Sequence, residues 1–146
     1  MNRILVVLPA NLGDVIMATP VLEGIRNARS DAFVAFLVED GFEGGVVGNP
    51  HCNEIISFPR KAIRDTIRKE GKEGLESLRG MVEAIRHCGF DVVINLSQHS
   101  YLSHIMPLFG ANTILGQRFL REGNHAVNDP WSRYLYAIPF SRRCNR

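Results

Sequence analysis

The stretch that decides the fold is residues 3–26, which read RILVVLPANLGDVIMATPVLEGIR. A continuous run of β-branched residues and leucine predicts a strand over Arg3 to Leu8, of the kind that is buried on both faces of a parallel sheet. After a short turn ending in Gly13 and Asp14, apolar residues recur every three or four positions up to Ile25, which predicts an amphipathic helix. The chain thus opens with strand, turn and helix, and Asp14 is predicted as the N-cap of that helix.

The rest of the chain repeats this alternation of strand and helix. Runs of strand-forming residues occupy 32–38, 53–58, 91–96 and 112–115, and helical spacing is seen at 40–47, 75–85 and 101–109. The charged segment 60–72 fits either a loop or a solvated helix. The pattern predicts one α/β domain over residues 1–146, a Rossmann-like parallel sheet of about five strands flanked by helices.

Composition limits the classes of protein that the chain can represent. The 146 residues are 45% hydrophobic and 22% charged, as expected of one globular domain rather than a disordered chain. The net charge of +2 gives no indication of nucleic-acid binding. Three widely spaced cysteines fit a reducing compartment, and no apolar run reaches the roughly 20 residues of a membrane span. We expect a cytoplasmic protein, and work at the inner face of the membrane remains compatible with the sequence.

Several common ligands of this architecture are disfavoured by the motifs. The turn after the first strand offers only Gly13 where a dinucleotide fingerprint needs GxGxxG, and the chain has no Gly-Lys-Ser or Gly-Lys-Thr of a phosphate-binding loop. His99 and His104 lack the spacing and the neighbouring ligands of a metal site. No cofactor and no metal are predicted.

Polar residues predicted at the carboxyl edge of the sheet are the candidates for chemistry, because ligands of open α/β sheets bind there. Asp14 can cap the helix, and it can also accept a proton from a sugar hydroxyl. Gln98 and its neighbours either bind a polar ligand or cap the next helix. Arg60, Arg118 and Arg121, predicted in loops after the third and fifth strands, either grip anionic groups or form a solvated basic surface.

The order of these motifs resembles the ADP-heptose:lipopolysaccharide heptosyltransferases, glycosyltransferase family nine. The resemblance extends at least to Gln117, and its matching parts are the Leu12-Gly13-Asp14 turn with Thr19-Pro20, the FVAFLVEDGF of residues 33–42, the Asn49-Pro50 turn before the third strand, and the strand and helix of residues 90–108. Members of that family resemble two-domain GT-B enzymes, in which the N-terminal Rossmann-like domain receives the acceptor. The chain is therefore expected to correspond to the N-terminal half, with the donor-binding domain absent from it.

The resemblance implies an inverting glycosyl transfer from ADP-heptose to lipopolysaccharide core or a related glycan. Asp14 matches the family's general base, and the expected acceptor contacts are Asn11, Gly13, Arg60, Gln98, Arg118 and Arg121. ADP-heptose would be bound mainly by the missing domain, so this chain alone is expected to be inactive unless a separate chain supplies that domain. A non-catalytic glycan-binding or interaction module with the same fold is the alternative, and a nucleotide-binding or signalling domain is the third possibility.

Overall fold

The central strand of the sheet is the one predicted at the start of the chain. The computed structural model describes residues 2–119, 125–127, 129, 130 and 133. The elements in chain order are β1 (Arg3–Leu8), α1 (Leu12–Ala28), β2 (Phe33–Glu39), a 3-10 turn (Glu43–Gly45), β3 (Glu54–Phe58), α2 (Arg60–Glu70), α3 (Lys72–His87), β4 (Val92–Asn95), α4 (Ser100–Ile105), a second 3-10 turn (Met106–Phe109), β5 (Thr113–Phe119) and β6 (His125–Val127).

The sheet has the strand order β3-β2-β1-β4-β5-β6. The pairs β1–β2, β1–β4, β2–β3 and β4–β5 are parallel, which confirms the Rossmann-like fold predicted from the sequence. The sheet has one strand more than the five or so expected, because β6, a short sixth strand, pairs antiparallel with β5. None of the helices in the described ranges is long and apolar enough to cross a membrane.

Side chains of β1 alternate between two hydrophobic layers, as the two-residue period of a strand requires. Ile4 and Val6 pack on the side of α1, together with Val15 and Leu22. Leu5 and Val7 pack on the opposite side, in the layer that contains residues of α2, α3 and α4. Covering on both faces explains why the strand consists entirely of apolar residues after Arg3.

Two elements differ from the sequence prediction, and one open alternative is decided. Segment 40–47 forms only the three-residue 3-10 turn. Of the two alternatives for segment 60–72, loop or helix, the structure begins with the helix, α2, whose buried Ile63 packs into the core. Strand β5 continues to Phe119 because its end pairs with β6. Arg60 therefore lies at the start of a helix and Arg118 within a strand. The prediction that both arginines lie in loops is wrong.

The start of α1 also differs from the prediction. The helix begins at Leu12 with Asn11 as its N-cap, so Asp14 belongs to the first turn and is not the cap. Further along, Pro20 has no N–H to offer the carbonyl of Ile16. The Thr19 hydroxyl donates a hydrogen bond of 2.8 Å to that carbonyl, so the Thr-Pro pair keeps the acceptor satisfied within the helix.

Helices α2 and α3 form a hairpin that is tight at one end. A β-carbon placed on Gly74 would lie 2.4 Å from the backbone nitrogen of Ile67, which real side chains do not tolerate. A glycine at this crossing lets the two helix backbones come into direct contact. Gly80, further along α3, has no neighbour within 4 Å of such a β-carbon and is exposed.

These two glycines of α3 provide a matched pair for a stability test. We expect Gly74→Ala to lower the free energy of unfolding by about 2 kcal/mol, because the added methyl group pushes α2 away. Gly80→Ala should raise it by up to about 1 kcal/mol, because alanine is the better helix former. Urea unfolding followed by circular dichroism measures both, and an equal effect of the two substitutions would contradict the tight crossing.

Candidate functional site

The strand order places a crevice at the carboxyl ends of β1 and β4. These strands are neighbours, and their following segments lead to helices that pack on opposite faces of the sheet, α1 on one and α4 on the other. Such a switch point in strand order is where open α/β sheets bind ligands. Asn11, Gly13 and Asp14 follow β1, and Gln98 follows β4, so the structure brings these four predicted residues to one edge.

Asp14 is the acidic residue of the first turn of α1 and is half-buried. Among the described residues, no hydrogen bond or ion pair involves its carboxylate, which is therefore available to a ligand. Gly13 beside it is exposed, and a β-carbon at this position would meet nothing within 4 Å. The fold thus does not require glycine here, whereas close approach of a ligand to the backbone would.

The loop after β4 is held by buried amide and hydroxyl groups. The Asn95 side chain donates to the carbonyl of Gln117 (2.7 Å) and accepts from the backbone N–H of Ser97 (3.0 Å). The Ser97 hydroxyl in turn accepts from the N–H of His99 (3.1 Å). Ser97 therefore serves the loop structure, while Gln98 and His99 remain exposed at the crevice.

Strand β5 passes very close to the end of β4. Gly116 has φ of +90°, and a β-carbon on it would lie 2.2 Å from the carbonyl oxygen of Asn95. The carboxylate of Asp129 accepts a hydrogen bond from the Gly116 N–H (3.0 Å). Gly116 thus keeps β5 directly against the end of β4, from which the loop leaves, and this packing makes the loop a rigid wall of the crevice.

Arg60 lies at the same edge of the sheet and is fixed by an ion pair. Its guanidinium is 2.8 Å from the carboxylate of Glu39, the last residue of β2. The Tyr101 hydroxyl lies near this guanidinium: burial raises the pKa of Tyr101, and the neighbouring positive charge of Arg60 opposes that shift. The ring of Tyr101 stacks on His99 with 5.6 Å between centroids, so Arg60 is connected to the loop after β4.

The remaining predicted arginines are placed differently. Arg118 is half-buried in β5, and one of its guanidinium nitrogens lies 3.4 Å from the carbonyl of Ile114. Arg121 lies outside the described residues. Within the part of the chain that the structure describes, no group of three or more His, Cys, Asp or Glu side chains could hold a metal ion.

Glu39, Asn95 and Tyr101 are site residues that the sequence reasoning missed. Glu39 and Tyr101 act on Arg60 from separate elements, and a contact between distant segments has no local sequence pattern. Asn95 ends the buried strand β4, and a polar residue at that place is the signal that could have revealed it.

The fold is that of the GT-B glycosyltransferases. This chain matches the N-terminal portion of the GT-B structures to which it is similar. The chain is similar to the family 9 glycosyl transferase from Veillonella parvula DSM 2008, with 28% identity, a TM-score of 0.66 and 79% of this chain covered. It is also similar in fold to the E. coli heptosyltransferase WaaC with ADP (18% identity, TM-score 0.64) and to E. coli ADP-heptose lps heptosyltransferase II (18%, 0.58), each over 78% of this chain.

These comparisons confirm the resemblance to family 9 glycosyltransferases and heptosyltransferases. The chain spans about a third of the length of those solved structures, between 30% and 36%. No protein-family model and no curated protein matches the sequence.

The role of Asn95 in fixing the crevice wall can be tested by stability. We expect Asn95→Ala to lower the free energy of unfolding by about 2 kcal/mol or more, because the buried Ser97 amide loses its acceptor. Asn27→Ala, at an exposed position of α1, is the matched control and should change stability by less than about 0.5 kcal/mol. Urea unfolding measures both, and a tolerated Asn95→Ala would show that the loop is held by other contacts.

Proposed function

We propose that this chain is the acceptor-binding half of an inverting glycosyltransferase similar to the heptosyltransferases. It would act with ADP-heptose as donor and with lipopolysaccharide core or a related glycan as acceptor. The observation that carries the proposal is the half-buried carboxylate of Asp14 at the switch point, with which none of the described residues pairs. It is supported by the 28% sequence identity to a family 9 glycosyl transferase over 79% of this chain.

In the proposed reaction Asp14 acts as general base. Its carboxylate takes the proton of an acceptor hydroxyl, and the acceptor oxygen forms a bond to the anomeric carbon of the donor on the face opposite the leaving group. The bond from that carbon to the diphosphate breaks, and ADP leaves with the electron pair. A rigid crevice supports this role because catalysis by proximity depends on a fixed position of the reacting hydroxyl.

The acceptor contacts follow from the layout of the edge. The backbone at Asn11 and Gly13 and the side chain of Gln98 would bind sugar hydroxyls. Arg60, held in place by Glu39, would bind an anionic sugar or phosphate with paired hydrogen bonds. Arg118 and Arg121 are proposed as further contacts to the anionic groups of the acceptor.

The donor is proposed to be bound mainly by a second domain, on the same or a separate polypeptide. One of the similar structures is of E. coli WaaC with ADP-2-deoxy-2-fluoro heptose. On this chain, Leu12, Ile16 and Met17 of α1 expose 43%, 52% and 72% of their surface next to Asp14. An apolar patch of this kind marks an interaction surface, and a domain that closes over the crevice would cover it.

The proposed reaction also has consequences for cofactor, partners and location. The nucleotide sugar serves as donor substrate, and the chemistry needs no further cofactor. The small net charge of +2 gives no support for a nucleic-acid partner. A lipid-linked acceptor would place the protein in the cytoplasm at the inner face of the cytoplasmic membrane.

The base assignment is tested by Asp14→Asn in this chain combined with a donor-binding domain, fused or added as a second polypeptide. We expect the rate of transfer from ADP-heptose to a Kdo-bearing core oligosaccharide to fall by about 100-fold or more, because the amide cannot accept the proton. The affinity for the oligosaccharide, measured by calorimetry, should stay within about twofold, since the amide keeps the shape of the carboxylate.

Asp31→Asn is the matched control, since Asp31 is exposed in the loop before β2 at the opposite end of the sheet. It should leave the rate unchanged. Full activity of Asp14→Asn would reject the base assignment, and transfer by the 146-residue chain alone would reject the need for a donor-binding domain. Oligosaccharide binding without transfer in every combination would favour the alternative, a non-catalytic glycan-binding module.

A further inference from the structure

A groove lies beside Arg60, on the face of the sheet covered by α2, α3 and α4. Its cavity volume is about 460 Å³, within the range of sites that bind small molecules. The floor is formed by aromatic and aliphatic side chains from four elements, namely Phe58, Ile63, Leu78, Tyr101 and Ile105, and Ile67 lies at the side. The floor is thus apolar, and it borders the proposed acceptor site.

One rim of the groove is a row of arginines. Arg60, Arg64 and Arg68 line it at four-residue spacing, which places them on one face of α2. Arg60 is paired with Glu39, and Arg64 is 3.5 Å from the carboxylate of its neighbour Asp65. Among the described residues no carboxylate forms an ion pair with Arg68. The α2 sequence RKAIRDTIRKE has five basic and two acidic residues, so this rim is positive.

The shape of the groove follows from the helix hairpin that forms it. Because Gly74 has no side chain, the backbone of α3 lies directly against Ile67 of α2 near the connection between the helices. Away from this point the space between α2, Leu78 of α3 and Ile105 of α4 is not filled by side chains. Protein interiors are close-packed, so an open apolar space of this size is a place where a ligand can bury apolar surface.

The two features together select the chemistry of the ligand. An alkyl chain gains free energy by leaving water for the floor, in proportion to its buried methylene groups. A phosphate gains from the guanidinium groups at the rim. A neutral hydrocarbon would form no charged contact with the arginines, and a small anion would bury no apolar surface on the floor.

We propose that this groove binds one acyl chain of a phosphorylated lipid, with the phosphate at Arg64 and Arg68. Naming that lipid as the anchor of the glycan acceptor rests on the proposed function. In that case the groove holds the lipid end of the acceptor while the crevice at Asp14 holds its sugar end. The groove would then make the enzyme prefer an acylated acceptor over the free oligosaccharide.

The test is a calorimetric titration with alkyl phosphates below their micelle concentrations. Dodecyl phosphate should bind at least tenfold more tightly than butyl phosphate, and inorganic phosphate should bind more weakly than either. Across butyl, octyl, decyl and dodecyl phosphate, the affinity should rise and then level off as the groove is filled. Dodecyl maltoside, which has the chain without the phosphate, should bind at least fivefold more weakly than dodecyl phosphate.

Substitutions locate the binding. Leu78→Trp fills the half-buried floor and should remove most of the advantage of dodecyl over butyl phosphate. The double substitution Arg64→Gln and Arg68→Gln should weaken dodecyl phosphate at least fivefold and leave dodecyl maltoside unchanged. Arg79→Gln is the matched control, because Arg79 is an exposed arginine of α3 that does not line the groove, and it should change neither.

Equal affinities of butyl and dodecyl phosphate would overturn the proposal, as would an affinity that rises with chain length without levelling off. If Leu78→Trp does not fold, the chain-length series on the unaltered protein decides by itself. None of these titrations involves the donor or a transfer reaction. A negative result for lipid binding in the groove therefore does not contradict the proposed function, and a negative result for Asp14 as general base does not contradict lipid binding in the groove.

Discussion

The pairing of β1 on both of its edges is the constraint on which the rest of this structure depends. β1 is hydrogen-bonded to β2 on one side and to β4 on the other, and its residues Leu5, Val6 and Val7 have no exposed surface. Chain segments leave this strand and β4 toward opposite faces, so a crevice forms between them. The polar residues after each strand meet there because of this arrangement, and no contact between their side chains is needed to bring them together.

Rigid walls around that crevice are supplied by a few buried polar contacts. Asn95 and Gly116 fix the loop after β4, and the Glu39 carboxylate fixes Arg60 at the end of β2. Asp14 stands apart from these contacts, with a half-buried carboxylate that the described residues do not use. A half-buried carboxylate at the switch point that the described residues leave available is consistent with a general base for a substrate hydroxyl.

Sequence alone was sufficient for the features that depend on local periodicity. The strand over Arg3 to Leu8 has the predicted bounds, and the α/β alternation gave the correct sheet class. The remaining features depend on tertiary contacts: segment 60–72 fitted a loop or a helix, and the packing of Ile63 makes its start a helix, while β5 is lengthened by its pairing with β6. The site was predicted as residues at one edge, whereas the Glu39–Arg60 pair joins segments that no local pattern relates.

We propose that acceptor glycans bind at the carboxyl ends of β1 and β4. The most direct measurement is a titration of a Kdo-bearing core oligosaccharide into the ¹⁵N-labelled chain, followed by backbone amide chemical shifts. We expect the largest changes on the amides of Gly13, Asp14 and Gln98. Changes confined to the opposite end of the sheet, around Asp31 and Gly89, or no changes at saturating oligosaccharide, would contradict it.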